Sequence, residues 1–141
     1  MNNWKFKIQN RLNTCSNVRA LISISSSDEV RDMPTNYSVP LDKPVFNDRG
    51  NFLSDNFTQL ISGNTLPFRP TGTHELFSVN NYTSYWTGTS AEGSLHSNNC
   101  DGWSTSSNAG NGQTHKEKYF YYGKPETAEC SQNHHFMCLC F

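Results

Sequence analysis

The residues in this sequence best suited to chemistry are its cysteines: Cys15, Cys100, Cys130, Cys138 and Cys140. No C-x-x-C pair occurs among them, which disfavours a structural zinc site or a thioredoxin-type redox motif. Disulfides are the default reading, and they point to an oxidising compartment. Five thiols cannot all pair within one chain. Cys138 and Cys140 are separated by one residue, so on a strand both face the same way and both can approach one partner. Three sequons, at Asn36, Asn56 and Asn81, are possible glycosylation sites and agree with an extracellular or surface-exposed location. The N-terminal stretch from Met1 to Lys7 has no apolar h-region, so no signal peptide is read in it.

His134 and His135 invite a metal reading. Adjacent residues on a strand point to opposite faces, so the two cannot chelate one ion together, and packing or hydrogen bonding is expected instead. His74, His96 and His115 have no ligand-like spacing and read as surface residues. A hydrolase needs a nucleophile, a base and an orienting group. Serine, histidine and aspartate are plentiful, but no G-x-S-x-G or other local signature selects a set. Calcium needs clustered carboxylate and amide oxygens, and Lys124-Pro125-Glu126 is the nearest and a poor approach. The sequence therefore assigns no catalytic residue, no metal ligand and no cofactor, and the protein is read as a non-enzyme.

Charge narrows the partners. The formal net charge is −1, with 11 Lys+Arg against 12 Asp+Glu and no basic run, so nucleic acid is not expected as a partner. Bulk attraction to acidic polysaccharides is disfavoured for the same reason. No apolar stretch approaches the roughly 20 residues a membrane helix needs, so no membrane insertion is expected.

These residues must be positioned by modest elements. The chain has 141 residues, the size of one domain, but only 34% are hydrophobic and asparagine, serine and threonine abound. That composition predicts a small core wrapped in long polar loops. Trp4, Ile8 and Leu12 share a helical face, whereas Trp4, Phe6 and Ile8 alternate as in a strand; the helix is preferred. Val18 to Ser25 predicts a strand with Ala20, Ile22 and Ile24 on one face. Ser26 to Glu29 reads as a capping box opening a short helix that Pro34 ends. Tyr37 to Leu41 reads as extended. A second helix over Asp55–Ile61 would bury Phe57, Leu60 and Ile61, with Gly63 closing it. Glu75–Val79, Ser84–Thr87, Lys118–Tyr122 and His134–Phe141 are strand candidates. Ser90–Gly112 reads as a long loop tied at Cys100. The pattern is α+β, with short strands and loops that need covalent bracing.

Several segments, in order, resemble endostatin, the C-terminal domain of collagens XV and XVIII. They are Val18-Arg-Ala-Leu-Ile-Ser23, Val39-Pro-Leu41, Phe57 to Gly63, Leu76-Phe-Ser78, Tyr85-Trp-Thr-Gly88 with Gly93, Cys100-Asp-Gly-Trp103 and Gly112-Gln113. The spacings of Cys100, Cys130 and Cys138 match the family as well. The resemblance covers residues 18 to 140. It implies a C-type-lectin-like, endostatin-like fold over one domain, 1–141, that is expected to lack the family's first strand. It implies a Cys100–Cys130 disulfide, which the polarity of the intervening loop also favours. The closing-strand cysteine matches Cys138, and in the family it pairs with the first helix. The implied second bond is therefore Cys15–Cys138, with Cys140 free or linked to another chain.

The departures from the family matter too. Its zinc-binding histidines and heparin-binding arginines have no counterpart here, so neither ligand carries over. The calcium-binding Glu-Pro-Asn, Gln-Pro-Asp and Trp-Asn-Asp motifs of the wider lectin group are missing. Trp86 and Trp103, beside the matching glycine and cysteine, are expected as core anchors. Tyr119, Tyr121 and Tyr122 suit a contact surface. The expected function is a non-enzymatic extracellular or surface module that binds a protein or matrix partner, as the terminal domain of a collagen-like or fibrous protein. A lectin-like, glycan-binding adhesin is the alternative, and homo-oligomerisation is left open.

Overall fold

The computed structural model describes residues 15–46, 50, 52–62, 84–107, 110–115 and 125–141. Among them the fold mixes short strands with a few helical turns, and two disulfides brace it. The strands are β1 (Val18–Ala20), β2 (Val45–Phe46), β3 (Phe52–Ser54), β4 (Tyr85–Trp86), β5 (Asn111–His115), β6 (Pro125–Glu129), β7 (His135–Phe136) and β8 (Cys138–Cys140). The α-helices flanking the core are α1 (Met33–Tyr37) and α2 (Phe57–Ile61). The expected elements at Trp4–Leu12, Glu75–Val79 and Lys118–Tyr122, together with Gly63, His74 and Asn81, lie outside the described residues.

Among the described residues, three sheets organise the strands. β6, β5, β4 and β7 form one in that order, antiparallel except for the parallel β4–β7 pair. β2 pairs with β3, and β1 pairs antiparallel with β8. In the last pair Val18 lies opposite Cys140 and Ala20 opposite Cys138. Two backbone hydrogen bonds between Asn17 and Phe141, 2.8 and 3.0 Å, extend it.

One apolar cluster joins these parts: Leu21, Val30, Met33, Val39, Leu53, Phe57, Leu60, Ile61, Tyr85 and Met137. Strand alternation in β8 sends Leu139 and Phe141 against that cluster and leaves Cys138 and Cys140 exposed on the outer face. In α2, Phe57, Leu60 and Ile61 are buried as the periodicity predicts. Its N-cap is Asn56, whose side chain accepts from the Gln59 N–H at 2.9 Å.

Three expectations about the first third change. Pro34 does not end a helix; it occupies the first turn of α1, where the missing N–H has no intrahelical acceptor to lose. The capping box is Glu29 with Asp32 around the 3-10 turn Val30–Asp32, three residues later than Ser26. The chain is strand-paired only over Val18–Ala20, and beyond it Leu21 and Ser23 are buried while Ile24 is exposed. Hydrophobicity alone puts the isoleucines inward. Ser23 wins because its polar groups all find partners there, as described below.

The later sheet also differs. β5 begins inside the segment read as loop, and β6 opens with Pro125, which its place at the sheet edge tolerates. The strand read over His134–Phe141 breaks at Met137, whose carbonyl accepts from Leu21 N–H at 2.8 Å.

Candidate functional site

The side of β4 that faces away from the apolar cluster carries the candidate site. Tyr85 points into the cluster, and burial raises its phenol pKa well above the usual range. Trp86, the next residue, points the other way. Its ring meets Trp103 edge-on at 5.4 Å and His134 edge-on at 4.6 Å. Trp103 in turn meets Phe136 at 6.5 Å, and Phe136 is the ladder partner of Trp86. Four rings thus run from half-buried His134 through buried Trp86 and half-buried Trp103 to Phe136, which is 48% exposed. The two tryptophans are anchors, as expected, but Trp103 keeps an edge at the surface.

Trp103 is held by an unusual piece of backbone. Cys100, Asp101, Gly102 and Trp103 all have positive φ, between 52° and 63°, so the chain makes a left-handed turn. For residues with a Cβ this conformation costs roughly 1–2 kcal/mol each. Local bonds over-determine it. Trp103 N–H donates to Asn99 O at 2.8 Å, and Gly102 N–H donates to Asn99 Oδ1 at 2.9 Å. Asn99 Nδ2 is itself fixed on His96 O at 2.9 Å. The Cys100–Cys130 disulfide, with a Cα–Cα distance of 5.7 Å, ties the turn to the end of β6. Two glycines make room. At Gly88, where φ is +53°, a Cβ would sit 2.6 Å from the Trp103 ring. At Gly112 it would meet the Trp86 ring and, at 2.7 Å, Cys100 Sγ.

Beneath the turn lies a buried polar hub. Trp103 Nε1 donates to Ser23 O at 2.9 Å. The Ser23 hydroxyl accepts from Val30 N–H at 3.0 Å and donates to Gly93 O at 3.4 Å. Ser23 N–H is shared between Thr87 O at 3.0 Å and Thr89 Oγ1 at 3.2 Å. Thr89 donates to Thr87 O at 2.6 Å. Glu29, also buried, accepts from Leu95 N–H at 2.9 Å and pairs with Arg31. Sequence patterning does not reveal this hub, because isolated serines and threonines carry no burial signal.

His134 sits at the other end of the ring row. Nδ1 lies 2.6 Å from Ser84 Oγ, and Nε2 lies 3.3 Å from Gln132 Oε1. With the proton on Nε2 directed at the amide oxygen, Nδ1 accepts from the serine hydroxyl. Burial lowers the ring's pKa; the Ser84 backbone opposes that shift and neighbouring His135 adds to it. The group orienting the imidazole is an amide, which cannot neutralise an imidazolium as a carboxylate does. His135 is exposed on the opposite face, as strand alternation predicts.

The remaining candidates divide. Asn36 is exposed in α1, and its Nδ2 donates to Ser27 O at 3.0 Å. Asn56 is half-buried as the α2 cap. Cys130 is bonded to Cys100. Cys15 is bonded to Cys140 rather than to Cys138, which is exposed and free. The register supplies the reason: Cys15 leaves the ribbon at Asn17, opposite Phe141, so Cys140 is the nearer outward cysteine and Cys138 lies two residues farther on. Among the described residues no cluster of three His, Cys, Asp or Glu could hold a metal ion, and no helix is long and apolar enough to cross a membrane. No family model matches the chain, and no curated protein matches it either.

Proposed function

We propose that the chain is an endostatin-like, C-type-lectin-like domain: a non-enzymatic module, outside the cell or on its surface, that binds a protein or matrix partner. The observation that carries this is the exposed aromatic edge that Phe136 forms with Trp103 of the left-handed turn. Phe136 is 48% exposed and Ile24 42% exposed. Phe136 flanks the half-buried Trp103 ring, and the Ile24 backbone passes beside Gly102 of the same turn. Aromatic anchors on a covalently fixed support lose little conformational entropy on binding, which suits a contact site. The amide partner of His134, in place of a carboxylate, supports reading Ser84 as part of a scaffold rather than as an activated nucleophile. A place at the end of a collagen-like or fibrous protein rests on the family resemblance alone.

A glycan-binding adhesin is the second reading. Exposed Phe136 offers a ring for stacking, and the turn that carries its ring neighbour Trp103 exposes Asp101 and Ser104 as polar groups for sugar hydroxyls. One experiment separates the two. Wild-type protein and Phe136→Ala are applied to immobilised purified matrix proteins and to a glycan array, with and without chelator. Saturable binding to a matrix protein, weakened at least tenfold by Phe136→Ala at unchanged melting temperature, is the expected result. Binding confined to glycans transfers the site to the adhesin reading. Covalent labelling of Ser84 by a fluorophosphonate would overturn the non-enzymatic assignment.

A further inference from the structure

The outer face of the β1–β8 ribbon carries two cysteines, and a third, Cys15, is bonded to one of them. Cys138 and Cys140 share that face, Cys140 is bonded to Cys15, and Cys138 is an exposed thiol one strand repeat away. We propose that this face is an internal thiol–disulfide exchange site, in which the protein interconverts between a Cys15–Cys140 and a Cys15–Cys138 bond.

The chemistry needs nothing from outside. The Cys138 thiolate attacks Cys15 Sγ, the Cys15–Cys140 bond breaks, and Cys140 leaves as a thiolate that takes up the proton Cys138 released. One S–S bond replaces another, so no oxidant or reductant is consumed. The reverse step is the same reaction with the two β8 cysteines exchanged, which makes the process a two-state switch.

Geometry sets the motion required. Same-face residues on a strand are about 6.6–6.8 Å apart. The Cα atoms of Cys15 and Cys140 are 5.5 Å apart. Cys15 precedes Asn17, which pairs with Phe141, so it does not lie on the Cys138 side of Cys140, and its Cα is at least roughly 9 Å from that of Cys138, whereas a disulfide tolerates up to about 6.8 Å. Cys15 must advance by about 3 Å or more along the ribbon. The pair of hydrogen bonds between Asn17 and Phe141 resists that advance. Exchange thus couples to opening of the ribbon end, and the swapped form carries Cys15 and Ser16 toward the middle of β8. Partial desolvation raises the Cys138 thiol pKa, which lowers its thiolate fraction and slows the exchange.

The inference does not rest on the proposed binding function, and neither do its tests. Wild-type protein without added thiol is held at about pH 8.5, where thiolate forms, then quenched in acid and alkylated at intervals. Fragmentation of the C-terminal peptide locates the label. Label starting on Cys138 and appearing on Cys140, at a rate independent of protein concentration, is the expected result. Label confined to Cys138 at all times overturns the proposal. So does migration whose rate rises with protein concentration, which assigns exchange to collisions between chains. Cys140→Ser gives a second reading: a Cys15–Cys138 bond in the folded variant is expected, and two free thiols there overturn the proposal.

Discussion

Removing the Cys100–Cys130 disulfide tests how the left-handed turn is held. The bond spans a sequence separation of 30, for which the chain-entropy model gives about 3–4 kcal/mol of stabilisation. Cys100 is 4% exposed and its sulfur abuts Gly112 beneath Trp86, so replacing both cysteines by alanine also leaves a small void. That adds about 1 kcal/mol. The expected loss is thus about 4–5 kcal/mol, a large fraction of the roughly 5–15 kcal/mol available to a domain. Two terms oppose each other locally. Without the bond, the turn can relieve the strain at Cys100, Asp101 and Trp103, but only by releasing Trp103 from Ser23 and Trp86. The double alanine variant and wild type are compared by urea unfolding and by near-ultraviolet circular dichroism. A loss of 4–5 kcal/mol with a weakened tryptophan signal is expected. A loss below about 1.5 kcal/mol with an unchanged signal would refute the reasoning, because the Asn99 hydrogen bonds alone would then hold the turn.

Ser23→Ala leaves the buried Val30 N–H without its acceptor and should cost about 1–3 kcal/mol in urea unfolding; a change under about 0.5 kcal/mol would mean the hub is not a stabilising unit. Gly88→Ala combines a positive φ with a collision against Trp103, so destabilisation by about 2 kcal/mol or more is expected, accompanied by a shift in tryptophan emission; retained stability would show that the ring is free to move. Burial lowers the His134 pKa below its ordinary 6.5. The unfolded chain therefore binds this proton more readily, and the stability present above about pH 6.5 is lost as pH falls toward the folded value. His134→Gln should flatten the urea midpoint over that window relative to wild type, and identical profiles for the two would exclude the effect.

The parts of this fold that sequence reading reaches are those fixed by apolar periodicity. Phe57, Leu60 and Ile61 repeat at helical spacing and are buried; Tyr85-Trp86 is a strand with one ring on each side. The parts it misreads are those where hydrogen bonding outweighs hydrophobicity. Isoleucine is a better core residue than serine in any transfer scale, yet Ser23 is fully buried and Ile24 is not. A serine can occupy that place only because Val30, Gly93, Thr87 and Thr89 meet its polar atoms from distant parts of the chain. Such a network has no local signature.

The ribbon cysteines show the same limit in covalent form. From the sequence, Cys138 and Cys140 are equivalent, since both lie on one face of one strand. Only the pairing register, with Asn17 opposite Phe141, places Cys15 beside one of them. The left-handed turn is an intermediate case. Asn99, Asp101 and Gly102 are residue types that favour caps or visit positive φ, so the segment advertises a turn. Cys100 and Trp103 do not belong to that group, and they are the two residues fastened from outside, one by a disulfide and the other by the Ser23 carbonyl. Strain at these two positions is thus matched by long-range ties. The Trp103 side of the apolar edge it forms with Phe136 is presented by backbone that Cys100 and Trp103 would not choose on their own.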